Sequence, residues 1–315
     1  MPSPQNSLPW NRVRSTTTSK GTMRMRRRVR VLGTFHMGTS FPADCSRPRD
    51  DWHPTIWHNV AVTATLLLVA AAAAANVAAV PDPGPFFALT FDAHERTEGA
   101  RELLSLLRER RIRATLFVTG TFATRHPDIL RLAVAAGHEI GNHTYSHPHL
   151  TSWAVNRRHD TLPGVTRQRL HDELRRTAEA IAAAIGRPPA PLWRAPYGEH
   201  NAEIRAWAGE LGLVHVDWTR AGGDSLDALD WVEDPRARNY LSAEAIARRL
   251  IRFEERTGRP LSGSIILMHL GSGRATPPLL EALPMFLDEM DRRGLRPLPV
   301  GELLQRQRQG AAASR

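Results

Sequence analysis

The chain has 315 residues, 42% of them apolar, and a formal charge of +10, enough material to bury a sizeable core in one large domain or two ordinary ones. The charge is uneven: residues 1–58 hold ten Arg or Lys against three Asp, which leaves +3 on the rest. A basic arm beside a near-neutral body excludes a phosphate-tracking groove, so no nucleic-acid partner is expected.

In chain order, residues 1–58 read as a basic, disordered leader on the cytoplasmic side. The only cysteine, Cys45, lies there, which excludes a disulfide framework and a Cys-based zinc site downstream. Asn59–Val80 carries no charge over 22 residues. At about 1.5 Å per residue that length is close to a bilayer core of ~30 Å. With the Arg-rich run "MRMRRRVR" (Met23–Arg30) before it, 59–80 reads as a transmembrane anchor or a signal segment cut near residue 79. Either reading exports everything beyond it. A Pro-rich joint follows at 81–85.

From Phe86, apolar runs alternate with amphipathic segments. Strands are predicted at "FFALTF", "IRATLFVTG", "HEIGNHT", "APLWRAPYG", "LVHVDW", "GSIILMHLG" and "LRPLPV". Helices are predicted at "EGARELLSLLRERR", "PDILRLAVAAG", "TRQRLHDELRRTAEAIAAAIG", "AEIRAWAGELG", "SAEAIARRLIRFEERTG" and "PPLLEALPMFLDEMDRRG". This alternation predicts an α/β fold with parallel strands and outer helices. About seven strands suit a (β/α) barrel better than an open nucleotide-binding sheet, and no Gly-rich phosphate loop follows the first strand. The barrel domain is placed at 86–304, and 305–315 is expected as a flexible tail.

Barrels of this kind carry their chemistry at the C-terminal strand ends. Asp92 stands where the first apolar run stops, a place equally suited to a helix cap. His143 and His147 lie four apart; on a helical turn both imidazoles would share a side and a metal ion. In a chain with 14 His, the plainer reading is two surface histidines. Arg194, Asp230 and His269 also fall at strand ends, and each alone reads as a loop residue, a turn cap and a structural histidine. Their recurrence at successive strand ends is what an active site at one mouth requires.

These residues fall in five ordered segments: "TFD" (Thr90–Asp92), "HTYSH" (His143–His147), "RAPYG" (Arg194–Gly198), "DALDW" (Asp227–Trp231) and "LMH" (Leu267–His269). They resemble the motifs of the polysaccharide deacetylases, the NodB-homology domain of carbohydrate esterase family 4, over about Phe86 to Leu304. The resemblance implies a deformed (β/α) barrel that removes acetyl groups from a polysaccharide such as peptidoglycan or a chitin-like glycan. It implies a divalent metal, Zn²⁺ or Co²⁺. Carried over by match, Asp92 is the general base, and His143 and His147 are metal ligands. Arg194 orients Asp92 with Asp230 behind it, and His269 is the general acid. The Tyr197 N–H faces the oxyanion, while Trp231 and Leu267 wall the acetyl pocket.

The chain departs from the family pattern T-F-D-D-G. Ala93 stands where the second Asp supplies a metal ligand, and His94 replaces the glycine. Three readings follow: His94 or Glu95 completes the site, Asp92 itself binds metal, or the domain binds glycan with little turnover. An O-acetyl esterase is a further variant. "AGGDSL" is an extra loop that makes Asp224 a rival of Asp230. The long segment "NRRHDTLPGVTRQR" is expected to shape one side of the cleft.

Overall fold

The computed structural model describes residues 75–313. In chain order the elements are β1 (Asn76–Val77), β2 (Phe86–Ala93), α1 (Ala100–Glu109), β3 (Thr115–Val118), α2 (Gly120–Arg125), α3 (Pro127–Ala135), β4 (Glu139–Asn142), α4 (Trp153–Asn156), α5 (Arg167–Ile185), β5 (Leu192–Trp193), α6 (Ala202–Gly209), β6 (Val214–Val216), β7 (Arg220–Ala221), β8 (Asp224–Ser225), α7 (Ala243–Ile251), α8 (Phe253–Thr257), β9 (Ile265–His269), α9 (Leu279–Arg292), β10 (Arg296–Leu298) and α10 (Val300–Ala313). All seven predicted strands are present, and β1 makes an eighth in the same parallel sheet, ordered β1-β6-β5-β4-β3-β2-β10 with β9 also on β2. One edge of β2 is shared by β10, at Phe86–Ala88, and β3, at Thr90–Ala93, while β9 pairs with Ala88–Asp92 along the other edge. The curl closes through Thr219 N–H to the Ile265 carbonyl (3.0 Å) and a parallel bridge between Asp227 and Leu267. The expected deformed (β/α) barrel is therefore the observed fold.

Strand alternation sorts β2 into two faces. Phe87, Leu89, Phe91 and Ala93 pack with Leu103, Leu107, Leu283 and Phe286 of the helix layer. Burying each large side chain there contributes about 1.5–3 kcal/mol. Ala88 faces the barrel interior with Phe117, Leu192, Val216 and Ile265, and Val300 and Leu303 of α10 pack into the same cluster. Gly141 on β4 makes room inside: an added Cβ would lie 2.7 Å from the Phe117 ring. The helices start where capping predicts. Thr166 accepts the Arg169 N–H at the head of α5, and Gly186 (φ 75°) ends it in the left-handed region.

Three expectations change. The span 59–80 overlaps the described residues at its end, and there the chain is a strand. Asn76–Val77 pairs in parallel with His215–Val216, and the Val80 N–H donates to the Gly263 carbonyl at 2.8 Å. Gly263 must be a glycine, because a Cβ would lie 2.0 Å from the Val80 oxygen. The domain thus begins by residue 76 rather than 86, and the joint at 81–85 is part of it. Residues 1–74, with the leader and most of the apolar run, lie outside the described residues. Among the described residues no helix is long and apolar enough to cross a membrane. At the other end, the expected tail is helical through Ala313 as the continuation of α10. Finally, the extra loop after β6 is a two-stranded hairpin, β7 with β8.

If β1 belongs to the barrel, a protein starting at Pro81 should melt at least about 5 °C below one starting at Ala75, since it loses several buried hydrogen bonds. Equal melting temperatures would show that β1 adds nothing.

Candidate active site

Register brings the first two groups together. Residues Ala88, Thr90 and Asp92 of β2 lie opposite Ile265, Leu267 and His269 of β9, so the Asp92 and His269 side chains emerge on the inner face at the same level. Arg194 enters from the end of β5 and is fully buried. Its Nη1 donates to Asp92 Oδ1 at 2.8 Å, its Nε to the Val216 carbonyl at 3.0 Å, and its Nη2 to the Asp217 carbonyl at 3.3 Å. Beneath it lies the Phe117 ring, 4.3 Å from the guanidinium carbon. Burial alone would raise the Asp92 pKa, but Arg194 and then His143 outweigh it, and the carboxyl is held below its ordinary range. Arg194 orienting Asp92 is the arrangement the resemblance implies.

Asp230 is placed differently. It does not stand behind Arg194. Its Oδ2 accepts the His269 N–H at 2.9 Å and its Oδ1 lies 3.1 Å from His269 Nδ1. The reason is chain direction: the bridge between Asp227 and Leu267 lays the "DALDW" loop along β9. Burial pushes the His269 pKa down, but Asp230 and then Asp92 push it up further, to about 9. His269 is therefore an imidazolium at neutral pH. The rival Asp224 is occupied on the hairpin, bound to Arg249 and Arg256. Arg194 instead donates to the backbone carbonyl of Asp217, a residue that strand-end reasoning could have found in "LVHVDW". Its buried carboxylate takes Arg220 Nη1 at 2.7 Å and His200 Nε2 at 3.2 Å.

His143 and His147 do meet, with ring centroids 4.9 Å apart, but not on a helical turn. Thr144 (φ 62°) and His147 (φ 56°) sit in the left-handed region, so the loop doubles back to bring the rings together. Tyr197 (φ 58°) and Leu229 (φ 56°) show the same conformation in the other motif loops. Such non-glycine residues cost on the order of 1–3 kcal/mol each and are held by their surroundings. His143 Nδ1 lies 2.9 Å from the Arg194 carbonyl, to which it donates, and its Nε2 lies 3.5 Å from Asp92 Oδ2. Burial lowers the pKa of both histidines, so both rings are neutral.

The departure at 93 has a structural counterpart. Ala93 is buried in the outer cluster against the helix layer, whereas His94 turns over the mouth. Its ring stacks on His147 (4.6 Å between centroids, 15° between planes) and meets His269 edge-on at 6.1 Å. Burial, then the neighbouring imidazoles His143 and His269, drop its pKa to about 4. Glu95 is exposed. Leu267 is buried one turn of the pleat below His269. Trp231 is 48% exposed, its Nε1 donating to Asp227 Oδ2 at 3.4 Å. Tyr197 is 53% exposed and its ring lies 4.5 Å from His147. Sequence reasoning missed Glu199, a buried carboxylate that accepts the Leu150 and Thr151 N–H groups and pairs with His149; no local pattern marks it.

The residues fit a divalent metal in kind. His143, His147 and His94 are neutral imidazoles, His143 presents its Nε2 because Nδ1 is fixed by a carbonyl, and Asp92 is ionised beside it. Nitrogen and carboxylate donors with an oriented histidine suit Zn²⁺. Among the described residues no three His, Cys, Asp or Glu side chains already converge on one point.

Comparisons with known proteins bear on the family and the fold. A family model described as polysaccharide deacetylase matches residues 79–216. A peptidoglycan-N-acetylglucosamine deacetylase of Bacillus cereus is 28% identical over 218 residues, 69% of this chain and 68% of the relative. A chitooligosaccharide deacetylase of Sinorhizobium fredii is 35% identical over 187 residues, 59% of this chain and 73% of the relative. Among solved structures, the Bc1960 peptidoglycan N-acetylglucosamine deacetylase superposes with a TM-score of 0.60 at 26% identity, covering 81% of this chain and 98% of that one. With its motif residues gathered at one barrel mouth, the chain belongs to the polysaccharide deacetylase family, hydrolases that cleave carbon–nitrogen bonds.

Proposed function

We propose that this protein removes N-acetyl groups from an extracytoplasmic polysaccharide of the peptidoglycan or chitin type, with the help of a divalent metal. The observation that carries the reading is the pairing of opposite proton states across one mouth. Asp92 is anionic under Arg194, and His269 is cationic over Asp230. A base and an acid poised in this way suit hydrolysis of an amide, which needs one proton removed from water and one delivered to the leaving nitrogen. Bound at His143 and His147, with His94 beside them, Zn²⁺ or Co²⁺ would polarise the carbonyl and acidify water. Asp92 then accepts the proton of the attacking water while Arg194 keeps its carboxylate in place. The Tyr197 N–H stabilises the tetrahedral oxyanion. His269 protonates the departing amine, and Asp230 stabilises the imidazolium before transfer. Leu267 and Trp231 flank the acetyl methyl.

A second reading, glycan binding with little turnover, is favoured by Ala93 lying in the helix-side core. The panel test separates them: acetate release from peptidoglycan, N-acetylglucosamine oligomers and acetylated xylan, with and without Zn²⁺ or Co²⁺. We expect release from one of the first two, dependent on metal. His143→Ala and His147→Ala should each lose bound metal, whereas His269→Ala should keep metal and lose at least about 100-fold in rate. Metal uptake without acetate release would favour the binding reading, and metal lost equally from all three variants would overturn the roles.

The His269 charge makes a further expectation. Its folded pKa of about 9 lies above the ordinary ~6.5. The stabilisation it brings is therefore complete below about pH 6.5 and is lost as pH rises through about 9. In the metal-free protein, Asp230→Asn should lower the His269 pKa by at least about 2 units and flatten the fall in melting temperature between pH 6 and 9.5. NMR titration of the His269 ring reads this directly; an unshifted pKa would remove Asp230 from its role.

The basic leader and the uncharged run support export. Since β1 starts at Asn76, a cut near residue 79 would destroy a strand. A cut after Ala75, behind the alanine run, would leave the barrel whole. N-terminal sequencing of protein recovered outside the cytoplasm should therefore begin at Asn76; a start beyond Val80 would contradict this.

A further inference from the structure

Between the His147 loop and α5 lies an insertion, residues 148–166, whose only helix is α4. None of the α4 residues is buried. Trp153 is 37% exposed and Val155 is 87% exposed, so this turn of helix displays apolar surface and returns nothing to the core. Its backbone is nevertheless firmly held. Ser152 N–H donates to the Asp160 carbonyl (2.9 Å) and Leu162 N–H to the Leu150 carbonyl (3.1 Å). Asn201 Nδ2 donates to the His159 carbonyl and to Thr161 Oγ1, both at 2.8 Å. Glu199 clamps the start of the insertion through the Leu150 and Thr151 N–H groups at 2.9 and 3.0 Å.

The Trp153 ring is fixed as well. His159 stacks on it at 4.7 Å between centroids and 10° between planes. His159 Nδ1 lies 3.3 Å from Thr151 Oγ1. The ring is thus held in place, with the Arg157 guanidinium carbon 5.7 Å from its centroid, on a segment that Glu199 and Asn201 tie to the loop of Tyr197. From His147 the rings continue outward through Tyr197 (4.5 Å) to His149, which stacks on Tyr197 at 4.1 Å and 10°. Trp153 follows His149 by four residues, a reach of at most about 14 Å, the span of about two or three linked sugars.

We infer that Trp153, backed by His159, is an outlying sugar subsite that selects glycan chains of about four units or more. This rests on the glycan reading above and names the length of chain that reading takes. A pyranose presents C–H bonds on one face and hydroxyls at its rim. It lies flat on a Trp ring, burying apolar area on both sides while its rim stays hydrated. Rigid anchoring means that little ordering is required on binding.

The test uses N-acetylglucosamine dimer and pentamer with wild type, Trp153→Ala and Trp153→Phe, measuring binding by calorimetry and acetate release in parallel. Because Trp153 makes no core contact, melting temperatures should be unchanged. Trp153→Ala should weaken pentamer binding about tenfold, the size of one lost aromatic stack, and leave the dimer untouched; Trp153→Phe should recover most of the loss. A pentamer affinity unaffected by Trp153→Ala, equal losses for both lengths, or no pentamer binding by wild type would each overturn the inference. Length-dependent binding through Trp153 with no acetate released would uphold the subsite and sink the deacetylase reading instead.

Discussion

The buried ion pair between Arg194 and Asp92 is the constraint on which the mouth is built. Two charges taken out of water repay their desolvation only with good geometry and with the remaining donors satisfied. Here every part of the guanidinium is used: Nη1 on Asp92, Nε and Nη2 on the carbonyls of Val216 and Asp217, and the flat face on Phe117. The barrel pays for this with specific residues. Phe117 can lie under the guanidinium because Gly141, on the next strand, has no side chain to meet it. Losing either charge would leave the other buried and unpaired, at a cost of about 3–5 kcal/mol.

The second pair, His269 with Asp230, gives the mouth its electrical asymmetry. An anion on β2 and a cation on β9 face each other at one register level, with three neutral imidazoles around them. Each charge supports the other: Asp92 raises the His269 pKa, and His269 lowers that of Asp92. The imidazoles stay neutral because each is crowded by burial and by its neighbours. A site with a ready base, a ready acid and uncharged nitrogen donors between them is suited to a cation and a polar carbonyl together.

Around this centre the loops are held by buried polar groups as well as by the apolar packing of Leu150, Val165 and Ala195. Glu199 ties the loop of Tyr197 to the insertion that carries Trp153. Asp217 gathers Arg220 and His200 beside Arg194. Left-handed residues at Thr144, His147, Tyr197 and Leu229 aim the motif side chains at one place. The strain is local, and the rigid strands on which these loops are mounted absorb it.

The sequence by itself determined seven of the eight strands of the parallel sheet, six amphipathic helix segments and the residues at the strand ends. Buried parallel strands are written as apolar runs, and the first polar group after such a run is at a mouth. Only the tertiary structure decided the rest. Asn76–Val77 is hidden in an alanine-rich run, and becomes a strand because β6 offers it an edge. Ala93 and His94 are adjacent, yet one packs under helices and the other covers the mouth, a choice made by where β2 ends. Asp230 serves His269 rather than Arg194, because the "DALDW" loop lies along β9. Arg194 reaches Asp92 across 102 residues of chain. Local patterns report which face a residue takes, but the partner of a buried charge depends on distances between segments remote in sequence, and these exist only once the barrel has closed.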